Sequence, residues 1–332
     1  MTLAGNASSP EPVLVGVDTG GTFTDFVYYA HDRLHTLKVL STPDDPSRAI
    51  VEGMQELGLD ATPVRLVHGT TVATNAVLEG QGARVALVVN RGFRDLLTLG
   101  RQDRPEVYRL SPEPLAPPVE QALCLELPGR VSAAGEILEA PDADDLAELR
   151  ERLDQLRPEA VAILQLFSWL QPETEARIAQ AVPDPIMVSR SCEVLPQIGE
   201  YERGIATWLN ASVGPVLARY LRRLGERLPQ ARVAVMQSAG TTIAAEQAAQ
   251  QSVRMLLSGP AGGLAAVARL GRLSGRPRLL SFDMGGTSTD VSLVDGEPVL
   301  TARGRVGRWP VAVPMVDLHT IGAGGGSIAW LD

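Results

Sequence analysis

The apolar run VLVGVD, residues 13–18, breaks at a Gly-Gly pair, and TFTDFVYYA, residues 22–30, alternates as a returning strand. This predicts a β-hairpin with glycines at its tip. SRAIVEGMQELGL, residues 47–59, has the spacing of an amphipathic helix, opened by Ser47 behind Pro46. VRLVHGTTVATNAVLEG, 64–80, reads as strand, Gly-Thr-Thr turn and helix, and ARVALVVNRGF, 83–93, as a buried strand. The proline- and charge-rich stretch 101–120 predicts an irregular loop. DADDLAELRERLDQL, 142–156, is helical with an acidic first turn that suits the helix dipole. AVAILQLF, 160–167, reads as a strand, PETEARIAQAV as a helix with Pro172 near its first turn, and IMVSRSCEV, 186–194, as a strand. This alternation predicts an α/β fold.

The pattern changes near Tyr201. Residues 201–228 predict one long helix, or two interrupted near Gly214-Pro215. RVAVMQSAG, 232–240, is a strand ending in a turn, and residues 244–271 read as two helical pieces broken by SGPAGG. Residues 278–301 form a second hairpin with a third strand edge. The expected organisation is a disordered lead-in over 1–12, a first α/β domain over 13–200, and the start of a second lobe over 201–332. The chain ends in IGAGGGSIAWLD, and a glycine-rich turn ordinarily leads into further structure, so a C-terminally truncated chain is expected.

A length of 332 residues accommodates two domains, and 45% hydrophobic with 21% charged residues is the balance of an ordinary globular protein. The formal net charge of -9 argues against a nucleic-acid partner but leaves room for a nucleotide held by local groups and a metal ion. Two distant cysteines, Cys124 and Cys192, fit a reducing cytoplasmic setting. The N-terminus lacks the basic and apolar regions of a signal peptide, and no apolar run has the length of a membrane span. A single lysine, Lys38, and the absence of G-x-x-x-x-G-K-[ST] exclude a lysine-bearing P-loop.

The two hairpins share their wording. DTGGTFTD, 18–25, and DMGGTSTD, 283–290, agree at Asp18/Asp283, Gly20/Gly285, Gly21/Gly286, Thr22/Thr287, Thr24/Thr289 and Asp25/Asp290. Paired glycines allow a positive-φ turn and close approach of an anion to backbone N–H groups. Threonine hydroxyls can add bonds to phosphate oxygens. An aspartate repels phosphate unless a cation stands between them, so the combination points to Mg²⁺ with a nucleotide. One such octapeptide is also simply a good turn; two copies, each behind a buried strand, argue for a phosphate clamp.

The paired loops resemble the actin, sugar-kinase and heat-shock-chaperone ATPase superfamily. Within it the chain resembles the hydantoinase A / 5-oxoprolinase / acetone carboxylase family, through VGVDTGGTFTDFV, HGTTVATNAVLEG, RGFRDLLTLGRQ, EVLPQIGEYERGIATWLNA, SGPAGG, DMGGTSTDVSL and TIGAGGGSIAW, in that order. The resemblance runs from about residue 13 to 332. It implies a two-lobed actin-like (ribonuclease H-like) α/β fold and use of Mg²⁺ and ATP. It makes Asp18, Gly20, Gly21, Thr22 and Thr24 the first phosphate loop and Asp283, Gly285, Gly286 and Thr287 the second, with Asp18 and Asp283 as metal-binding and catalytic residues. SGPAGG would pack beside the second loop. It further implies phosphoryl activation of a carbonyl oxygen in a cyclic amide of the hydantoin or 5-oxoproline class, and a hydantoinase B-like partner subunit or domain. Ketone carboxylation and a nucleotide-gated regulatory module are the alternatives.

Other candidates carry a plainer reading beside the functional one. His68, Thr70, Thr71 and Asn75 stand at a strand-to-helix junction that suits a polar substrate, and the threonines equally suit a helix cap. Gly324 and Gly325, in GAGGGS, suit either a nucleotide contact or a turn between strands. Cys192 reads as a buried thiol. Glu202 and Arg203, in YERG, read as a helix-start charge couple.

Overall fold

The computed structural model describes residues 12–103, 108, 110, 116–285 and 289–328. The expected lead-in, most of the loop at 104–115, and Gly286 and Thr287 of the second hairpin lie outside the described residues.

The first hairpin forms from Val13–Thr19 and Phe23–Ala30, paired antiparallel with Asp18 opposite Asp25 and Thr19 opposite Thr24. A third strand, Arg33–Leu40, extends it through a tight turn in which His31 and Asp32 both take left-handed φ. One face of the sheet buries Val15, Val17 and Phe26 against Ile50 and Met54 of the helix Pro46–Glu56. That helix is capped by Asp45, which accepts from the Ser47 amide and hydroxyl, and not by Ser47.

Val64–Thr70 runs parallel to Val13–Thr19 on its other side, with Gly69 beside Asp18. Ala231–Met236 then adds parallel to Val64–Thr70, and Thr242–Ala244 completes a six-stranded sheet. The sheet therefore spans the boundary expected at residue 200. At Leu257 a left-handed φ starts the helix Ser258–Leu273. SGPAGG thus opens a helix; it does not break one.

The second sheet is wholly parallel: Met187–Arg190, Ala160–Leu164, Val85–Asn90 and Cys124–Leu127. Its central strands are continuous apolar runs because both faces are covered. Residues 200–227 form one unbroken helix, Glu200–Arg227, with Pro215 inside it. Gly214 packs closely there: a Cβ would stand 2.4 Å from Met187 Cε and 3.1 Å from the Ala249 carbonyl, so Met187 would have to move.

Arg203 is fully buried on this helix, so the expected couple with Glu202 does not form. The Arg203 guanidinium donates to the Gln165 and Gln197 carbonyls at 2.9 Å and to the Ser191 hydroxyl at 3.2 Å. Buried Glu175 accepts from the same Ser191 hydroxyl at 2.5 Å and from the Gln165 and Cys192 amides at 2.9 Å. Glu202 pairs instead with Arg101 at 2.6 Å. The Cys192 thiol is pushed up by burial and then by Glu175, against a reactive thiolate.

The second hairpin pairs Arg278–Met284 with Thr289–Asp295, setting Asp283 opposite Asp290 and Met284 opposite Thr289. This repeats the register of the first hairpin residue for residue. Its inner face packs Val294 and Leu279 on Ala261, Leu264 and Ala268 of the helix Ser258–Leu273. Among the described residues no helix is long and apolar enough to cross a membrane.

Candidate functional site

Both hairpins contribute to one cavity of about 790 Å³. The first supplies Asp18, Asp25 and Val27; the second supplies Asp283 and Asp290; Gly69, Thr71 and the helix start Ser258–Pro260 line the space between. This volume falls in the range of about 300–1,000 Å³ usual for small-molecule sites.

Asp18 is exposed to the cavity, but its Oδ1 faces two glycines at close range. A Cβ on Gly69 would stand 2.6 Å from Asp18 Oδ1, and one on Gly259 would stand 3.3 Å from the same oxygen. The two glycines come from different elements, and Ser258 fixes their spacing. Its hydroxyl donates to the Thr70 carbonyl at 2.9 Å and accepts from the Thr70 amide at 3.2 Å. The helix N-terminus, with amides that lack intrahelical partners, is thereby clamped beside Asp18, where it favours negative charge.

The Asp18 carboxyl is held above the usual carboxylate range, chiefly by burial among the cavity walls, then by Asp25 and Asp283, with Lys38 opposing. The residue still opens onto the cavity, so water reaches it and moderates the effect. A carboxyl pushed up by neighbouring carboxylates gains from a bound cation. Among the described residues no three His, Cys, Asp or Glu side chains stand close enough to enclose a metal by themselves. One or two carboxylates facing an open cavity instead suit Mg²⁺, which keeps water and phosphate oxygens as its remaining ligands.

The tip of the first hairpin is braced from behind. The Ser41 hydroxyl donates to the Gly20 carbonyl at 2.8 Å and bonds the Thr24 hydroxyl at 3.0 Å, and the Ser41 amide donates to the Thr22 carbonyl at 2.9 Å. Thr24 is fully buried and is not among the residues that line the cavity. Gly20 and Gly21 do not use positive φ. Gly20 is needed for space, since a Cβ would lie 3.3 Å from the Phe23 carbonyl, while Gly21 faces open space. On the second hairpin, Gly325 donates its amide to the Gly285 carbonyl at 2.9 Å, so the GAGGGS turn carrying Gly324 sits against that hairpin's tip.

Of the four residues considered for substrate, only Thr71 lines the cavity; its hydroxyl donates to the Thr19 carbonyl at 3.2 Å. His68 is fully buried, with Nε2 bonded to the Tyr220 hydroxyl at 2.6 Å and Nδ1 3.3 Å from the Val17 carbonyl. Burial pushes it down to about 4, and it is not among the cavity-lining residues. Thr70 is buried and accepts from the Val72 amide as a local turn. Asn75 is exposed on the helix Val72–Leu78, away from the cavity residues. Sequence reading did not name Lys38, Gly69 or Gly259 individually; Gly69 lies within the HGTTVATN motif, Gly259 within SGPAGG, and Lys38 stood out only as the single lysine.

The family model for the hydantoinase/oxoprolinase N-terminal region matches residues 14–184, and the hydantoinase/oxoprolinase model matches residues 203–332. The chain is 32% identical to the caprolactamase subunit alpha of Pseudomonas jessenii over 98% of its own length and 49% of the relative's. It is 31% identical to 5-oxoprolinase 1 of Arabidopsis thaliana, covering 94% of this chain and 28% of that protein. It spans about half the length of the first curated relatives it matches. Among solved structures, the ATP-dependent caprolactamase from Pseudomonas jessenii superposes with a TM-score of 0.86 at 30% identity, over 96% of this chain and 49% of that one. The nucleotide-free acetone carboxylase superposes with a TM-score of 0.80 at 26% identity, over 97% and 49%. The mixed α/β fold agrees with the actin-like ATPase type that the paired hairpins predict. The family models divide near residue 200, whereas the six-stranded sheet takes strands from both matched regions. The chain belongs to the hydantoinase/oxoprolinase family.

Proposed function

We propose that this protein binds Mg·ATP between the two hairpins and activates the carbonyl oxygen of a cyclic amide, of the hydantoin or 5-oxoproline class, for hydrolysis. The observation that carries the reading is the matched pair of hairpins. Each sets two motif aspartates opposite one another, and all four side chains meet in one cavity.

Asp18 and Asp283 would hold the metal, which supplies charge neutralisation for the phosphates when bound. The chain's own residues position the rest. Gly69 and Gly259 fix the Asp18 carboxylate, and the start of the helix Ser258–Leu273 offers amides to phosphate oxygens. The brace from Ser41 keeps the first tip rigid, so its orientation need not be ordered on binding. Transfer of the γ-phosphoryl group to the amide oxygen releases ADP and leaves a carbon that water can attack, with inorganic phosphate departing afterwards. A hydantoinase B-like subunit or domain would complete the enzyme.

Likeness to the caprolactamase alpha subunit and the 5-oxoprolinases favours a cyclic amide. The acetone carboxylase superposition supports ketone carboxylation as the second reading. An amide labelled with ¹⁸O at its carbonyl separates the two for the full-length protein with its partner. Label in the released phosphate, accompanied by ring opening, supports the first. Bicarbonate-dependent turnover of a ketone, with no ring opening, overturns it.

A further inference from the structure

Lys38 is the only lysine in the chain. It lies on Arg33–Leu40 opposite Asp25, and its ammonium stands 2.5 Å from Asp25 Oδ1 and 4.9 Å from the centre of the Phe23 ring. Its side chain is 55% exposed, and the residue lines the same cavity as Asp18, Asp25, Asp283 and Asp290. No arginine or histidine is among the described residues that line it. Lys38 is therefore the one cationic side chain in a wall that carries four carboxylates.

That imbalance matters for a polyphosphate. The helix-start amides are neutral dipoles, and the four aspartates repel the ligand wherever a cation does not intervene. An ammonium on a four-carbon stem is a compact charge that can turn from a carboxylate to a phosphate oxygen. Asp25 and the Phe23 ring hold this ammonium at the cavity wall.

We propose that Lys38 reads the terminal phosphates of the nucleotide, exchanging its pairing with Asp25 for one with β- or γ-phosphate oxygens. It would then distinguish ATP from nucleotides with fewer phosphates. The assignment rests on the nucleotide reading of the cavity given above.

Two measurements on the full-length protein test it. The first is acylation of the Lys38-bearing peptide by an N-hydroxysuccinimide ester, followed by mass spectrometry. Mg·ATP slows it about tenfold, and AMP does not. The second is calorimetric binding. Lys38→Ala weakens ATP about tenfold relative to AMP, and Lys38→Arg restores part of the loss. A purely structural lysine would change neither the protection nor the ATP-to-AMP ratio. If the wild type binds Mg·ATP but Lys38 acylates at an unaltered rate, or Lys38→Ala keeps the ratio, the Lys38 assignment fails alone. If the wild type binds no nucleotide, the reading of the cavity fails and takes the assignment with it. Should Lys38→Ala not fold, wild-type protection and Lys38→Arg binding still decide.

Discussion

Asp18 and Asp283, 265 residues apart in the chain, line the same cavity, and the charge of Asp283 helps hold the Asp18 carboxyl up. Each occupies the same place in its own hairpin, opposite the second aspartate of the motif. The repeat in sequence is thus a repeat in register, and it converges on one space.

Replacing Asp18 by Asn should separate function from stability. Turnover of ATP should fall by about 10²–10³-fold, the scale seen when an electrostatic catalytic group is lost. Stability should move the other way. Because the folded-state value is raised, Asp18 favours folding at low pH, and that contribution is lost as pH rises from the unfolded carboxylate range through the folded value. The melting temperature of the variant relative to wild type should therefore climb as pH is raised from 4 to 7. A relative fall over that range would contradict the assigned environment.

Gly69→Ala should damage the site more than Gly259→Ala, since the added carbon would lie 2.6 Å from Asp18 Oδ1 in the first and 3.3 Å in the second. Misplacing the carboxylate by a fraction of an ångström to an ångström should cost about a hundredfold in kcat for Gly69→Ala. Steady-state kinetics of both variants check the order, and the reverse order would contradict this close approach.

His68 should show in the acid limb of stability. Its contribution is intact above about 6.5 and is lost as pH falls towards the folded value of about 4. The slope should be on the order of 1 kcal/mol per pH unit in that window. Denaturant midpoints of wild type and His68→Gln across pH 4–7 should converge towards acid. Tyr220→Phe, which removes the 2.6 Å bond, should lower stability by about 1–3 kcal/mol and leave nucleotide affinity unaltered.

Arg203→Met should destabilise by about 3–5 kcal/mol, because it strips the buried Gln165 and Gln197 carbonyls of their donor and removes the buried cation linked to Glu175 through the Ser191 hydroxyl. The double change with Glu175→Gln should recover part of this in urea unfolding. Additive losses would show that the two act independently.

The site was legible in the sequence where chemistry repeats and lost where pairing is non-local. DTGGTFTD and DMGGTSTD identified both hairpins, and the apolar runs at 85–90 and 160–164 identified buried parallel strands. Arg33–Leu40 was missed because its turn uses His31 and Asp32 in left-handed φ where Asn-Gly or Asp-Gly is usual. The place of Ala231–Met236 beside Val64–Thr70 is a contact across about 167 residues that no local pattern encodes. SGPAGG looked like a break because glycine and proline punctuate helices, yet Pro260 sits in the first turn, where proline is tolerated. His68 looked available because it stands beside a Gly-Thr-Thr turn, but strand alternation turns its ring inward to Tyr220.

The central claim is that the two hairpins form one phosphate clamp. Its most direct test is phosphate release from Mg·ATP by the full-length protein, with and without 5-oxoproline, a hydantoin or caprolactam. The account predicts stimulation by a cyclic amide that disappears in both Asp18→Asn and Asp283→Asn. Turnover that persists undiminished in those two variants would contradict it.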